Sequence, residues 1–137
     1  MYQSTSYIIA ADIKQKPFSG MYINVSDPIY SFRHVKIDGK NLLLVGGGNH
    51  KTGHSTSYNE TYKTLENKLK SIYPNAEVLY RWNTRDCMTL DKIPYIGRYS
   101  NIIENMYIGT GFNKWGMTTS NVAANIIKDM ILKTENK

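Results

Sequence analysis

The chain has 137 residues, enough for one domain with a hydrophobic core, and 17 basic against 11 acidic residues give it a net charge of +6 at pH 7. Its single cysteine, Cys87, excludes an intramolecular disulfide and a zinc site built from several cysteines. The first residues lack the pattern of a signal peptide and no window reaches the ~20 apolar residues of a membrane helix, so we expect a soluble, cytoplasmic protein.

Strand patterns dominate the first third of the chain. Tyr, Ile and Val are frequent there, and apolar and polar residues alternate. The predicted strands are Ser6–Ile13, Met21–Val25, Ile29–Ile37 and Leu42–Val45. Asp38-Gly39 is a strong hairpin signal between the last two. Residues 6–47 are therefore predicted to form an antiparallel meander that ends at Gly46–Gly48.

A helix is predicted after the three glycines. Ser57 and Glu60 have the spacing of a capping box. Apolar and aromatic residues then recur at helical spacing and define one face: Tyr58, Tyr62, Leu65, Leu69 and Ile72. Pro74 stops the helix. This amphipathic helix is predicted to cover one face of the sheet.

The C-terminal part is predicted to be more irregular. Ala76–Trp82 has the composition of a strand, Asn83–Lys92 is polar, and residues 93–97 form an extended segment and turn. A short strand at Met106–Gly109 precedes a last helix, Met117–Leu132, with a wide apolar stripe. A stripe of this width predicts a large partner surface.

The most informative segment is residues 107–120, which has the pattern of a strand, a glycine-rich turn and a helix start capped within 118–120. Gly109, Gly111 and Gly116 let the backbone approach a ligand closely. A helix N-terminus carries partial positive charge and would stabilise an electron-rich group, such as the pyrimidine end of a reduced flavin. Such turns also occur for packing alone, so spacing leaves both interpretations open.

Other reactive side chains carry weaker signals. His50 and His54 are four residues apart, but no carboxylate completes a metal set, so no metal is expected. No histidine is placed beside Cys87 to activate it. Asp86 and Asp91 could act as an acid and a base, although loop carboxylates more often cap turns. The scattered lysines, without interleaved aromatic residues, argue against nucleic-acid binding.

Two segments together resemble the C-terminal part of FAD-dependent oxidoreductases of the D-amino-acid oxidase family. The family pattern T-x-D-x-x-P-x-I-G is matched by Thr89–Gly97. The following G-x-G-x-x-x-x-G-hydrophobic-T is matched by Gly109–Thr118. The version FNKWGMTTS at residues 112–120 resembles a bacterial subgroup that often carries a C-terminal Rieske iron–sulfur domain.

The resemblance extends upstream and covers roughly residues 6–132. Tyr30–Arg33, Asp38–Lys40 and Leu43–Gly48 are similar to the family's strand–hairpin–strand that ends in Gly-Gly near the flavin. The Rossmann fingerprint G-x-G-x-x-G and the Rieske cysteine and histidine pairs do not occur in these 137 residues. We therefore expect a C-terminal fragment, either a cloned piece or a truncated gene product.

The resemblance implies an α+β fold in two parts. Residues 1–98 would form part of the substrate-binding domain, an antiparallel sheet with one covering helix, and residues 99–137 the last strand and helix of the FAD-binding domain. Residues placed against the flavin, largely through backbone N–H groups, are Gly111, Asn113, Lys114, Trp115, Gly116, Met117 and Thr118. Arg33, Gly47 and Arg85 would lie on the substrate side, and no catalytic residue is assigned.

The expected function is that of a piece of a flavin-dependent oxidoreductase. The intact protein would oxidise a small amine or amino-acid-like substrate by hydride transfer to FAD. Without the N-terminal FAD-binding portion, the chain is predicted to be inactive, to bind FAD weakly or not at all, and to self-associate through exposed apolar faces. Two alternatives stay open: a free-standing, monomeric binding or regulatory module, and a basic nucleic-acid-binding domain.

Overall fold

The computed structural model describes residues 1–16, 18–54 and 57–134, and its fold is α+β, as predicted. The elements are β1 (Tyr2–Asp12), β2 (Met21–Ile23), β3 (Tyr30–Ile37), β4 (Lys40–Lys51), α1 (Tyr58–Ile72), β5 (Glu77–Met88), β6 (Tyr95–Arg98), β7 (Tyr107–Thr110) and α2 (Gly116–Leu132). Residues 135–137, the end of the predicted second domain, lie outside the described residues. No helix in the described ranges is long and apolar enough to cross a membrane.

The chain divides into two compact units. The larger unit is Thr5–Arg85, and the smaller unit combines Met1–Ser4 with Asp86–Lys137. Most of the five-stranded sheet and α1 belong to the larger unit, whereas the two-stranded sheet β6-β7 and α2 belong to the smaller one. The assignment of residues 1–98 and 99–137 to substrate and FAD domains stays a prediction.

The larger sheet has the strand order β2-β3-β4-β1-β5. Strands β2, β3 and β4 pair antiparallel in sequence order, and β3 meets β4 in a register that pairs Tyr30 with Gly47 and Ile37 with Lys40. Asp38 and Gly39 both have positive φ, 49° and 79°. This is the pattern of a two-residue type I′ turn, so the predicted hairpin is confirmed.

The predicted meander is wrong for β1, which lies between β4 and β5 and not beside β2. The predicted strand end at Gly46–Gly48 is also wrong, because β4 continues to Lys51. Pairing with β3 extends through Gly46 and Gly47, and it outweighs the weak strand preference of glycine. A Cβ on Gly47 would lie 2.9 Å from the Ile29 carbonyl oxygen and 3.1 Å from Leu65 Cδ2. Glycine is thus required there for close packing.

The predicted irregular stretch after Trp82 is wrong as far as Met88, where β5 ends. Strand β5 lies at the edge of the sheet, and most of its residues are exposed. An edge strand can therefore carry polar residues that hide its pattern from a search for apolar runs. The strand position is set by pairing with a neighbour, which the local sequence does not record.

Helix α1 covers the core of the larger unit. Ser57 is its N-cap, and the Ser57 side chain accepts a hydrogen bond from the Glu60 N–H at 3.3 Å, as the capping pattern predicts. Three of the five predicted face residues are buried: Tyr62, Leu65 and Leu69. They pack with buried residues of β1 and β4, among them Ile9, Leu43 and Val45. Each fully buried leucine contributes about 1.5–3 kcal/mol relative to exposure.

The smaller unit contains the antiparallel pair β6-β7 and α2. Helix α2 begins at Gly116 with Trp115 as N-cap, and no side chain caps it. The predicted cap within 118–120 is therefore wrong, because these residues lie inside the helix and Ser120 donates back to the Met117 carbonyl. Ala123 is the buried residue of α2, and its Cβ approaches Gly109, where an added Cβ would lie 3.7 Å away.

Candidate functional site

The turn between β7 and α2 has an unusual backbone. Gly111, Asn113 and Lys114 have positive φ values of 71°, 50° and 71°. Gly111 adopts this conformation without strain and asparagine tolerates it, whereas a lysine in the left-handed region costs about 1–2 kcal/mol. A backbone held in this way requires contacts from outside the turn.

Asn113 provides those contacts through its side chain. Its Oδ1 accepts a hydrogen bond from the Thr89 N–H at 3.0 Å, and its Nδ2 donates to Thr89 Oγ1 at 3.1 Å and to the Gly111 carbonyl at 2.7 Å. The Asn113 N–H also points to the Cys87 carbonyl at 3.4 Å. The side-chain amide of Asn113 thus makes its hydrogen bonds within the protein, and it connects the turn to the segment that follows β5.

Thr89 is the residue outside the turn that hydrogen-bonds with Asn113 and packs against Gly111. It is 2% exposed, so its hydroxyl and N–H depend on protein partners. Gly111 is buried against it, and a Cβ on Gly111 would collide with the Thr89 methyl group. Thr89, Gly111 and Asn113 therefore interlock, and the resemblance had included Thr89 in its pattern without giving it a role.

The start of α2 presents unpaired backbone donors. The N–H groups of Gly116, Met117 and Thr118 lie in the first turn, where no intrahelical carbonyl can accept from them. The Trp115 N–H, by contrast, donates to the Phe112 carbonyl at 2.8 Å. Trp115 and Met117 are 72% and 89% exposed, and a Cβ on Gly116 would meet open space. The first turn of α2 therefore combines backbone donors that have no intrahelical acceptor with large exposed side chains.

A charge pair flanks this turn. Lys114 Nζ lies 3.9 Å from Asp86 Oδ2, and both side chains are about 30% exposed, at 29% and 30%. Burial lowers the pKa of Lys114 below its ordinary value of 10.5, and the Asp86 carboxylate opposes this effect. The first turn of α2 contains no acidic residue. The region around residues 114–118 thus carries a lysine and a helix N-terminus, both of which favour an electron-rich group.

Asp91, the second carboxylate considered for acid–base chemistry, stabilises its own loop. Its Oδ1 accepts from the Ile93 N–H at 3.1 Å, and its Oδ2 accepts from the Tyr95 hydroxyl at 3.2 Å. The Ile93 hydrogen bond is the main cause that lowers the pKa of Asp91. These contacts favour turn capping over catalysis. Within the described residues, no group of three or more His, Cys, Asp or Glu could hold a metal ion.

The three predicted substrate-side residues lie in the larger unit on three different strands. Arg33 is exposed on β3 opposite Leu44, and Gly47 is buried on β4 against Leu65. Because successive strand residues point to opposite faces, Arg33 faces away from α1 and Gly47 faces toward it. Arg85 is exposed on β5 at the sheet edge. The structure does not bring these three residues onto one face.

The seven predicted flavin-side residues, in contrast, belong to one continuous turn and helix start, Gly111–Thr118. Their side chains play different parts: Asn113 is internal to the fold, whereas Trp115 and Met117 are exposed. What the resemblance missed is Thr89, the buried partner of Asn113. Its signal was present in the sequence, since both residues lie in the two segments that carry the family pattern.

Comparison of this chain with known proteins identifies its relatives. A family model described as FAD dependent oxidoreductase matches residues 1–130. The protein YhfW of Bacillus subtilis (strain 168), provisionally named a Rieske 2Fe-2S iron-sulfur protein, is 38% identical over 136 residues, which are 99% of this chain and 27% of YhfW. The chain therefore belongs to the family of FAD-dependent oxidoreductases, as predicted.

Two solved structures share the fold. L-proline dehydrogenase from P. horikoshii superposes with a TM-score of 0.73 at 18% identity, over 99% of this chain and 37% of that protein. Iminodiacetate oxidase (IdaA) from Chelativorans sp. BNC1 also gives a TM-score of 0.73, at 15% identity over 98% of this chain and 37% of its own. The chain therefore spans between about a quarter and two fifths of these relatives.

Proposed function

Because the chain belongs to the family of FAD-dependent oxidoreductases, we propose that it supplies the substrate-side sheet and the flavin-facing helix start of an enzyme that oxidises an amine or amino-acid-like substrate. The chemistry that FAD would supply when bound is that of a hydride acceptor for the carbon next to the substrate nitrogen. The observation that carries the proposal is the uncapped start of α2, with its accessible N–H groups, directly after the family's glycine-rich turn.

The residues at this helix start fit an electron-rich ring system. Open space above Gly116 and the donors of residues 116–118 can accommodate the edge of a planar ring without a side chain in between. The absence of acidic residues from the first turn of α2 avoids repulsion of the negative charge that a flavin gains on reduction. We assign the flavin contacts to the backbone of Lys114–Thr118 and to the exposed Trp115 and Met117.

The substrate class is supported by an exposed arginine on the face of the larger sheet that points away from α1. The guanidinium of Arg33 stands exposed on that face, where it can bind a carboxylate in a bidentate manner. The two solved relatives are named for L-proline and iminodiacetate, both of which combine a secondary amine with a carboxylate. We therefore propose a secondary amine with at least one carboxylate as substrate.

The activity also requires a second portion with the dinucleotide fingerprint. Helix α2 leaves several large apolar side chains exposed, namely Val122, Met130, Ile131 and Leu132. An apolar surface of this kind is typical of an interface. We propose that the FAD-binding portion of the family covers it, and that the 137 residues by themselves neither retain FAD nor catalyse the reaction.

A chimeric protein tests this proposal. The 136 matched residues of YhfW are replaced by those of this chain, and the purified chimera is assayed for bound FAD by absorbance and for anaerobic bleaching by L-proline and iminodiacetate. We expect stoichiometric FAD in the chimera and none retained by the isolated chain after gel filtration. Stoichiometric FAD in the isolated chain would contradict the need for a second portion.

Matched substitutions in the chimera locate the flavin. Gly116→Asp places a carboxylate at the proposed ring edge and should weaken FAD retention by about tenfold or more. Val25→Asp, at a fully solvent-facing position, should leave retention unchanged. Equal retention in the two variants would remove the helix start from the flavin site. Light scattering of the isolated chain separates the fragment from a free-standing module, since only the module is expected to be monomeric.

A further inference from the structure

We propose that Asn113 and Thr89 are positioning residues, which act on the flavin only through the backbone they hold. This inference rests on the proposed function, because it concerns the donors of Gly116–Thr118. Asn113 belongs to the segment predicted to touch the cofactor, yet its side-chain amide makes its hydrogen bonds to Thr89 and Gly111. The amide oxygen and nitrogen are therefore engaged within the protein.

The geometry explains what these bonds achieve. Asn113 and Lys114 are consecutive residues with positive φ, and two residues later the helix begins. The direction of the first helical N–H groups is thus set by a backbone conformation that few residues adopt. The Asn113 amide fixes this conformation through two contacts, since it donates to the Gly111 carbonyl within the turn and accepts from the Thr89 N–H outside it.

Thr89 makes the arrangement rigid because it is itself fixed. It is buried, follows β5 directly, and fills the space next to Gly111 that a side chain there would need. With no side-chain cap at Trp115, the Asn113 amide supplies the side-chain hydrogen bonds to the backbone that leads into α2, whereas Ser120 and Asn121 donate to the Met117 carbonyl from inside the helix. The pair Asn113–Thr89 therefore holds the backbone that enters α2, as the Ser57 cap holds the start of α1. Unlike Ser57, it accepts no hydrogen bond from the N–H groups of the first helical turn.

A simpler explanation is that asparagine is present only because it tolerates positive φ. Glycine distinguishes the two explanations, since Asn113→Gly keeps the backbone freedom and removes the amide. On the other side of the contact, Thr89→Val keeps the buried volume and removes the hydroxyl, whereas Thr89→Ser keeps the hydroxyl. These variants form matched pairs in which one member retains the feature that the other loses.

Amide hydrogen exchange of the full chain measures the first part of the inference. Asn113→Gly removes every hydrogen bond of the side-chain amide, and Thr89→Val removes those of the hydroxyl, so both should accelerate exchange in residues 111–118 by about tenfold or more. Thr89→Ser should stay within about twofold of the wild type. Exchange in residues 42–46 of β4 reports whether the rest of the fold is intact. Wild-type exchange in both Asn113→Gly and Thr89→Val would overturn the inference.

The second part uses the YhfW chimera, because the 137 residues alone are not expected to retain FAD; FAD is added in large excess, with ADP as the control that lacks the flavin ring. FAD, but not ADP, should slow exchange at residues 116–118 in the wild type and in Thr89→Ser, and this protection should be lost in Asn113→Gly and Thr89→Val. Equal protection in all variants would overturn the positioning role while leaving the flavin site standing. Absence of protection in the wild type would instead overturn the flavin-facing assignment, and the positioning role with it.

Discussion

The more apolar of the two helices of this chain buries fewer of its side chains. Helix α2 is the more apolar of the two, yet α1 buries Tyr62, Leu65 and Leu69, whereas α2 buries Ala123. The whole hydrophobic core cluster lies within Thr5–Arg85. An apolar stripe thus shows that a helix needs a covering surface, but it does not show whether that surface is in the same unit.

The contrast separates what each unit can do. The larger unit has its own core and a capped helix, which are the features of a self-supporting scaffold. The smaller unit holds the glycine-rich turn and the uncapped helix start, and many of its large apolar residues are exposed. This difference fits the proposed function, in which another portion covers the exposed apolar residues and completes the flavin site.

The largest expected effect comes from truncating a core residue in α1. Leu65→Ala should lower the free energy of unfolding by about 2–5 kcal/mol, because Leu65 is fully buried and leaves a cavity. The matched change in α2, Ile131→Ala, should alter it by less than about 0.5 kcal/mol, since Ile131 is 56% exposed. Urea denaturation followed by circular dichroism measures both values.

One outcome would contradict this comparison of α1 with α2. If Ile131→Ala were as destabilising as Leu65→Ala, the exposed face of α2 would be covered in solution. Repeating the measurement at several protein concentrations then identifies self-association as the cause, because stability would rise with concentration. A concentration-independent effect would contradict the contrast between the two helices.

The helix caps give the next largest effect. Ser57→Ala removes the side-chain acceptor of the Glu60 N–H and should destabilise the larger unit by about 1 kcal/mol. Trp115→Ala, at the N-cap of α2, should change stability by less than about 0.5 kcal/mol, because no cap hydrogen bond is lost there. Thermal denaturation of the two variants side by side is the measurement, and a larger loss for Trp115→Ala would reverse the assignment of the caps.

Local rules sufficed for some features of this fold. The Asp38-Gly39 turn and the Ser57 cap depend on neighbouring residues, and both were predictable. The position of β1 between β4 and β5 was not, since strand order follows from pairing over long distances. Asn113 illustrates the limit for the site: its place in the family segment was clear, but its hydrogen bonds to Thr89, 24 residues away, were not.

The smallest expected effect concerns the pKa values of two lysines, one in each unit. In the larger unit, hydrogen bonds to Asp12 and Glu77 raise the pKa of Lys14 above 10.5, whereas in the smaller unit burial lowers the pKa of Lys114. Lys14 therefore contributes stability that is fully present below pH 10.5 and is lost as the pH rises through its folded pKa. For Lys114 the unfolded chain binds more protons between the folded pKa and 10.5, so this group opposes folding at low pH, and that cost is lost as the pH rises through the window.

Titration of the two side-chain amines by NMR, with a carboxylate removed beside each, tests this opposition. Asp12→Asn should bring the pKa of Lys14 down toward its ordinary value, because its principal hydrogen-bond partner loses its charge. Asp86→Asn should lower the pKa of Lys114 further, since burial then acts without the opposing carboxylate. A Lys114 pKa at or above 10.5 in the wild type would mean that burial does not govern this lysine, and Lys114 would then resemble Lys14 in its exposed ion pairs instead of a group held beside a ligand surface.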